Sequence, residues 1–344
     1  LPNGVRYAVR KNHVPPDQVS IRVRMDVGSL YETTAEMGYS HLLEHMVFRQ
    51  SKYLGDGAAI PTFQRLVATF GSDTNALTGP ISTTFKLDLP DVNDGKVDEA
   101  LKLLSGMITA PTLSDANLRS DVPIVLAEKR ERGGTAERVV DQTQQTLFAG
   151  QKLGSRPVIG TEAALTGATQ ESVRAFHQRW YRPENCVIVA VGDIDPAKLE
   201  ASIRTWFGDW KGVGPRTPEP PFGDPLLPKG GKGAAPVGET RVIVEPSLPR
   251  QITYAIMRPW RPVHDTVVYN QGIMIDSLAQ AIINRRLEAR ARAGGSFLVA
   301  QVDKEKVSRS ADATYVSITP LGADWKAALG DTRAVIADAM TRPP

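Results

Sequence analysis

His41-Leu42-Leu43-Glu44-His45 decides how this chain is read. On a helix, side chains three and four positions apart share a face, so His41, Glu44 and His45 point to one place. Two imidazoles at that spacing suit a zinc ion, which takes nitrogen ligands at about 2.0–2.1 Å. The carboxylate between them is placed to accept a proton from water. Chance explains the motif poorly, because the chain has five histidines in 344 residues. Composition alone gives such a match odds of roughly one in a few hundred. A core helix also rarely carries three titratable groups on one face, since unpaired charge is seldom buried.

A zinc hydrolase site takes one more protein ligand and leaves its fourth position open to water. The candidate is Glu128, in Asp121-Val-Pro-Ile-Val-Leu-Ala-Glu128-Lys-Arg-Glu131. Val122, Val125 and Leu126 are helically spaced there, and seven residues make nearly two turns, so Asp121 and Glu128 face the same way. Taken alone, this segment reads better as an exposed, charged helix. The histidine pair is what makes Glu128 a ligand candidate.

With these residues in view, the chain resembles the pitrilysin/insulinase family of zinc metallopeptidases, whose inverzincin motif has this H-x-x-E-H order. The resemblance runs over nearly the whole chain. Leu1-Pro-Asn-Gly4 is similar to the family's opening strand, and Gly38 to Phe48 to its zinc helix. Gly71-Ser-Asp-Thr74-Asn75-Ala76-Leu77-Thr78 resembles the Asn-Ala-x-Thr segment that forms a substrate-binding edge. Phe176-His-Gln-Arg-Trp-Tyr181-Arg-Pro183-Glu-Asn185, then Val191-Gly192-Asp193, match the late first-lobe signature, and Asn284-Arg-Arg-Leu287 a second-lobe helix.

The resemblance implies one zinc ion per chain on His41, His45 and Glu128, with Glu44 as the base. It also implies a supporting carboxylate two turns before the third ligand, where this chain has Asp121 instead of the usual Glu. The interval from His45 to Glu128 is longer than the family's usual spacing. The surplus is assigned to the loop-like stretch from Gln50 to Pro61, and Glu131 is the alternative ligand. Thr74 to Thr78 would bind substrate by adding it as a strand.

Composition fits a globular chain with two cores: 41% of residues are hydrophobic and the formal charge is +3. No basic tract is interleaved with aromatics, which argues against nucleic-acid binding. No apolar run approaches the roughly 18 residues of a membrane span. A single cysteine, Cys186, excludes an internal disulfide framework and lies in an apolar run, where it should be buried and inert.

Val19 to Val27 and Thr83 to Leu89 alternate as half-buried strands. Val97 to Ile108, two segments within Glu162 to Trp180, and Pro196 to Trp210 have helical spacing. The expected fold is α+β, with two related lobes of mostly antiparallel sheet packed against helices. Residues 1–212 form the zinc lobe, 213–239 a Pro/Gly-rich linker and 240–344 a non-catalytic second lobe. That lobe opens with a strand at Thr240 to Glu245, continues with a helix from Val267 to Ala293, and has a strand at Ala313 to Pro320. Only about 105 residues remain for it, about half a family lobe, so the expectation is an amino-terminal portion of a longer enzyme.

Family enzymes also use an Arg and a Tyr seven residues apart, from a later lobe or a partner subunit, to hold the substrate carbonyl. Here the corresponding residues are Arg290 and Phe297, and a phenyl ring cannot donate a hydrogen bond to an oxyanion. The missing pair is therefore expected from a carboxyl-terminal half or a partner chain. His13, His177 and His264 read as structural or surface residues. The leading function is zinc-dependent endopeptidase action on peptides or unfolded segments in a cleft between lobes, with the bacterial periplasm as compartment. The alternatives are a catalytically silent scaffold subunit and a non-proteolytic zinc module.

Overall fold

The computed structural model describes residues 1–223 and 240–342, so most of the expected linker, including Lys229 to Gly233, lies outside the described residues. The chain begins with β1 (Arg6–Lys11), β2 (Val19–Met25), α1 (Tyr39–Arg49), α2 (Ala59–Arg65), β3 (Thr74–Thr78) and β4 (Thr83–Leu89). Next come α3 (Asp94–Thr109), α4 (Asp115–Arg132), α5 (Thr135–Leu147), α6 (Glu162–Thr166), α7 (Gln170–Trp180), β5 (Cys186–Gly192) and α8 (Pro196–Phe207). The last elements are β6 (Ile252–Pro259), α9 (Val267–Arg292), β7 (Phe297–Val307), β8 (Ala311–Pro320) and α10 (Trp325–Thr341). The fold is α+β. Its contacts divide into two units: Leu1–Arg132 with Arg156–Pro221, and Gly133–Ser155 with the residues from Phe222 onward.

The first unit is built on a five-stranded sheet of order β1-β5-β2-β4-β3, antiparallel except for the β1–β5 pair. Strand alternation gives it one apolar face. Ile21, Val23, Met25, Phe85, Leu87 and Ile188 are fully buried there, each contributing about 1.5–3 kcal/mol of transfer free energy. The opposite face is polar, with Arg22 paired to Asp88 at 2.7 Å and Arg24 to Asp26 at 2.9 Å. Asp98 of α3 accepts hydrogen bonds from Ser202 and Trp206 of α8, tying those two helices together. Cys186 is buried as expected, and burial pushes its thiol up.

The second unit has a three-stranded antiparallel sheet of order β6-β8-β7. Its core comprises Leu287, Phe297, Ala300, Val302, Val316, Ile318 and Ala328. Asn284 pins α9 to β7 by donating to the Val302 carbonyl at 3.0 Å and accepting from its amide at 2.7 Å.

Several expectations need correction. Leu1 to Gly4 is a turn, not a strand: the Gly4 amide closes onto the Leu1 carbonyl at 3.1 Å, and Gly4 takes a φ of +104°. Thr240 to Glu245 forms no strand. Its alternation has no neighbouring strand to pair with among the described residues, and Val242 and Val244 stay 80% and 76% exposed. Two helices went unanticipated. Pro61 sits in the first turn of α2, where proline is tolerated, and α5 buries no residue although Ala136, Val139, Val140 and Leu147 are helically spaced along it.

His177 on α7 is buried, and its Nε2–H donates to the Ile108 carbonyl at 2.9 Å. Burial holds its pKa down at about 4, against about 6.5 in an unfolded chain. The unfolded state then binds more protons between those values, so stability is lost as pH falls from 6.5 towards 4. His177→Gln keeps a donor but cannot titrate. Thermal unfolding at pH 7 and pH 4.5 should show the wild type losing about 1–3 kcal/mol more than this variant.

Candidate metal centre

The centre depends on how α1 enters the fold. Gly38 has a φ of +98° and crosses the Gly160 backbone so closely that a Cβ on Gly38 would meet Gly160 Cα at 2.8 Å. Glu32 is fully buried beside this entry, and its two oxygens accept the Gly38 and Ser40 amides, each at 2.8 Å. It satisfies amides that a helix start leaves unpaired, at the positive end of the helix dipole. Burial pushes Glu32 up to about 7 despite those bonds.

From that entry, α1 buries Leu42, Leu43, Met46 and Val47, leaving His41, Glu44 and His45 together on another side. At its far end, the Arg49 guanidinium forks onto Asp121 of α4 at 2.7 to 2.9 Å. Asp121 is buried, so the pair fixes α4 against α1. Two turns further along α4, Glu128 reaches the imidazoles.

Glu128 Oε2 lies 3.5 Å from His41 Nε2 and 3.4 Å from His45 Nε2. Ligand atoms around a tetrahedral zinc stand about 3.3 Å apart, so the spacing fits. All three ligand atoms lie within 4.8 Å of one another. Burial and the neighbouring His45 hold His41 down at about 4, leaving it as the neutral imidazole that a metal requires. The approach of His41 to Glu128 is therefore no ion pair. The Nδ1 atom of His41 is buried with no partner among the described residues, so Nε2 is the nitrogen aimed at the centre. Arg132 holds the other Glu128 oxygen, Oε1, at 2.5 Å, which turns Oε2 inward. Glu131 is exposed and outside the cluster.

Glu44 stands beside this set rather than within it. Its Oε2 accepts a short hydrogen bond from Thr78 Oγ1, and burial raises its pKa. Thr78 ends β3, the edge strand of the sheet. Bonds from Asp88 to Asp73 and from Gly79 to Ser82 fix the ladder phase, so residues 74, 76 and 78 turn their backbone groups away from β4. Thr74 is already bonded to Thr69 and Gly71 and the Thr78 amide to Glu44, which leaves Ala76 and the Thr78 carbonyl as the open edge. Asn75 Oδ1 sits on the Ala76 amide at 2.9 Å, and Leu77 is 75% exposed.

The sequence motif brought His41, Glu44, His45 and Glu128 together as the structure does. Asp121 shares their helix pair, but its carboxylate is taken by Arg49. Sequence reasoning missed Glu32, Arg49 and Arg132. Arg49 had a faint signal, being one turn beyond His45, whereas Glu32 lies outside any helical period.

The description "Insulinase (Peptidase family M16)" matches residues 7–162, and "Peptidase M16 inactive domain" matches residues 167–260. Together they take in more than half of the chain. The chain belongs to the insulinase family of peptidases. It is 29% identical over 204 residues to the probable zinc protease PqqL of Escherichia coli, covering 59% of this chain and 22% of that protein. It is 30% identical over 213 residues to the chloroplastic stromal processing peptidase of Arabidopsis thaliana, covering 60% and 16%. The chain thus spans about a fifth of the length of these curated relatives.

Among solved structures, the first half of the periplasmic protease PqqL from E. coli superposes with a TM-score of 0.79 at 22% identity, covering 98% of this chain and 70% of that one. A mutant of the ferredoxin protease FusC, in complex with Arabidopsis ferredoxin, gives 0.79 at 26% identity, covering 96% and 36%. These likenesses carry the fold; the zinc ligands rest on the geometry above.

His45→Ala and Glu128→Gln should each lose stoichiometric zinc, whereas Glu131→Gln should keep it. Elemental analysis of the purified proteins reads this directly. Zinc at the wild-type level in Glu128→Gln would remove Glu128 from the ligand set.

Proposed function

We propose that the chain acts as a zinc-dependent endopeptidase on peptides or unfolded segments, with residues 1–212 as its zinc-binding lobe and residues 240–344 as a non-catalytic one. The observation that carries this reading is Glu44. It is a buried carboxylate held beside two imidazoles and Glu128 but left out of their cluster, which suits a base rather than a ligand. His41, His45 and Glu128 would hold the zinc, and a zinc ion so held acts as a Lewis acid that makes water acidic enough to attack at neutral pH. Glu44 takes the proton from the attacking water and hands it to the leaving amine. Burial, by raising its pKa, makes it a better proton acceptor than a free carboxylate.

The backbone of Ala76 and the Thr78 carbonyl would receive an extended peptide as an added strand, giving affinity through main-chain bonds with loose sequence preference. Displacing Asn75 Oδ1 from the Ala76 amide frees that donor for substrate. Arg290 is ion-paired with Asp331 at 2.7 Å, and Phe297 lies in the core of its unit. Neither is available to support an oxyanion, so we assign that task to an Arg/Tyr pair from another segment or a partner subunit. A silent scaffold is the weaker reading, because His41, Glu44, His45 and Glu128 are all present and assembled. Among the described residues no helix is long and apolar enough to cross a membrane. The likeness to PqqL, described as periplasmic, favours the same compartment.

Glu44→Gln should retain zinc and lose peptide cleavage by at least about 10²-fold, since the amide is nearly isosteric but cannot accept the proton. Unchanged turnover at full zinc occupancy would show that another group is the base.

A further inference from the structure

The contact between Thr78 and Glu44 joins two features that the peptidase reading treats separately. Thr78 is 8% exposed and ends the edge strand. Its side chain points inward, so its Oγ1 donates to Glu44 Oε2 on α1. Its amide also donates to Glu44, and its carbonyl is left on the outer edge, where substrate would be added. One residue thus touches the base with its hydroxyl and its amide, and the substrate edge with its carbonyl.

We propose that Thr78 is a positioning residue: its hydroxyl fixes the orientation of the Glu44 carboxylate, and its place on the edge strand ties that orientation to the rung where substrate binds. This rests on Glu44 being the base. Rotation about the Glu44 side chain moves its oxygens by more than an ångström, and two bonds from one residue of a rigid strand remove that freedom. Of the two oxygens, Oε2 is occupied by the Thr78 hydroxyl. Edge residues that only bind main chain would need no hydroxyl here; Leu77, one position earlier, turns its side chain to solvent.

Valine keeps the β-branched shape of threonine in a strand and removes only the donor, while serine keeps the donor. The experiment compares wild type, Thr78→Val and Thr78→Ser for zinc content, thermal stability, and kcat and KM on a fluorogenic peptide. It also measures affinity for the same peptide, labelled with fluorescein, by anisotropy in the Glu44→Gln background. Thr78→Val should lower kcat by about 10- to 100-fold, the scale of a small misplacement of a catalytic group. Zinc content, KM and peptide affinity should stay within about twofold of their reference values, and Thr78→Ser should restore most of kcat. Full kcat in Thr78→Val would overturn the proposal. So would a loss of peptide affinity as large as the loss of turnover, because Thr78 would then be a binding subsite. Serine failing where valine fails would assign the residue to packing. A zinc-loaded wild type that cleaves no peptide even when completed by the segment or partner subunit carrying the Arg/Tyr pair would instead overturn the peptidase reading, and this proposal with it.

Discussion

The buried carboxylate of Glu32 at the start of α1 is the constraint on which the centre depends. A helix entering through a left-handed glycine has no side-chain cap of its own, and Gly38 cannot supply one. Glu32 does so from nine residues before His41, binding two amides at once. Leaving a buried amide without its acceptor commonly costs about 1–3 kcal/mol, because the group is stranded away from water. The direction of α1 is thus set before either histidine is considered, and rotating the helix would turn His41 and His45 away from Glu128.

The second fixed point is at the other end of the same helix. Arg49 and Asp121 make a forked contact, and forked guanidinium–carboxylate pairs constrain orientation as well as distance. The two ends therefore use two different buried carboxylates for the same purpose. Asp121 does not approach the imidazoles; it acts on the centre by holding α4 so that Glu128, two turns on, faces them. Arg132 completes the arrangement from the opposite side by engaging Oε1 of Glu128. The three candidate ligands on two helices are thus held by contacts that use none of the atoms they turn toward one another.

How much of this was legible in the sequence follows from the range of each signal. His41, Glu44 and His45 lie on one helix turn, so their spacing alone predicted their convergence. β4 was read from Thr83 to Leu89 because its alternation coincides with a buried face. Thr240 to Glu245 has similar alternation and fails as a strand, because alternation reports a face to be buried and says nothing about whether a neighbouring strand exists to pair with it. Helix α5 is the converse case: Ala136, Val139, Val140 and Leu147 are helically spaced, yet none of its residues is buried. Glu32, Arg49 and Arg132 were illegible for a different reason: their partners are set by tertiary packing rather than by period. The Thr78 hydroxyl belongs to the same class. The segment Thr74 to Thr78 was recognisable as an edge, but the direction of one side chain depends on which helix lies beneath it.

Asp121 shows how such a departure can be absorbed. The family resemblance leads to a Glu at this position, and Asp is shorter by one methylene. A shorter acid still reaches its partner when that partner is long, and Arg49 spans the difference with three methylenes and a planar fork. The fork also explains why lysine would be a poor substitute, since an ammonium cannot bind both carboxylate oxygens in a fixed plane. What the arrangement preserves is the separation between α1 and α4, and with it the 3.4 to 3.5 Å approach of Glu128 to the two imidazoles. A long partner thus lets the shorter acid hold the two helices at the separation that brings Glu128 to the imidazoles.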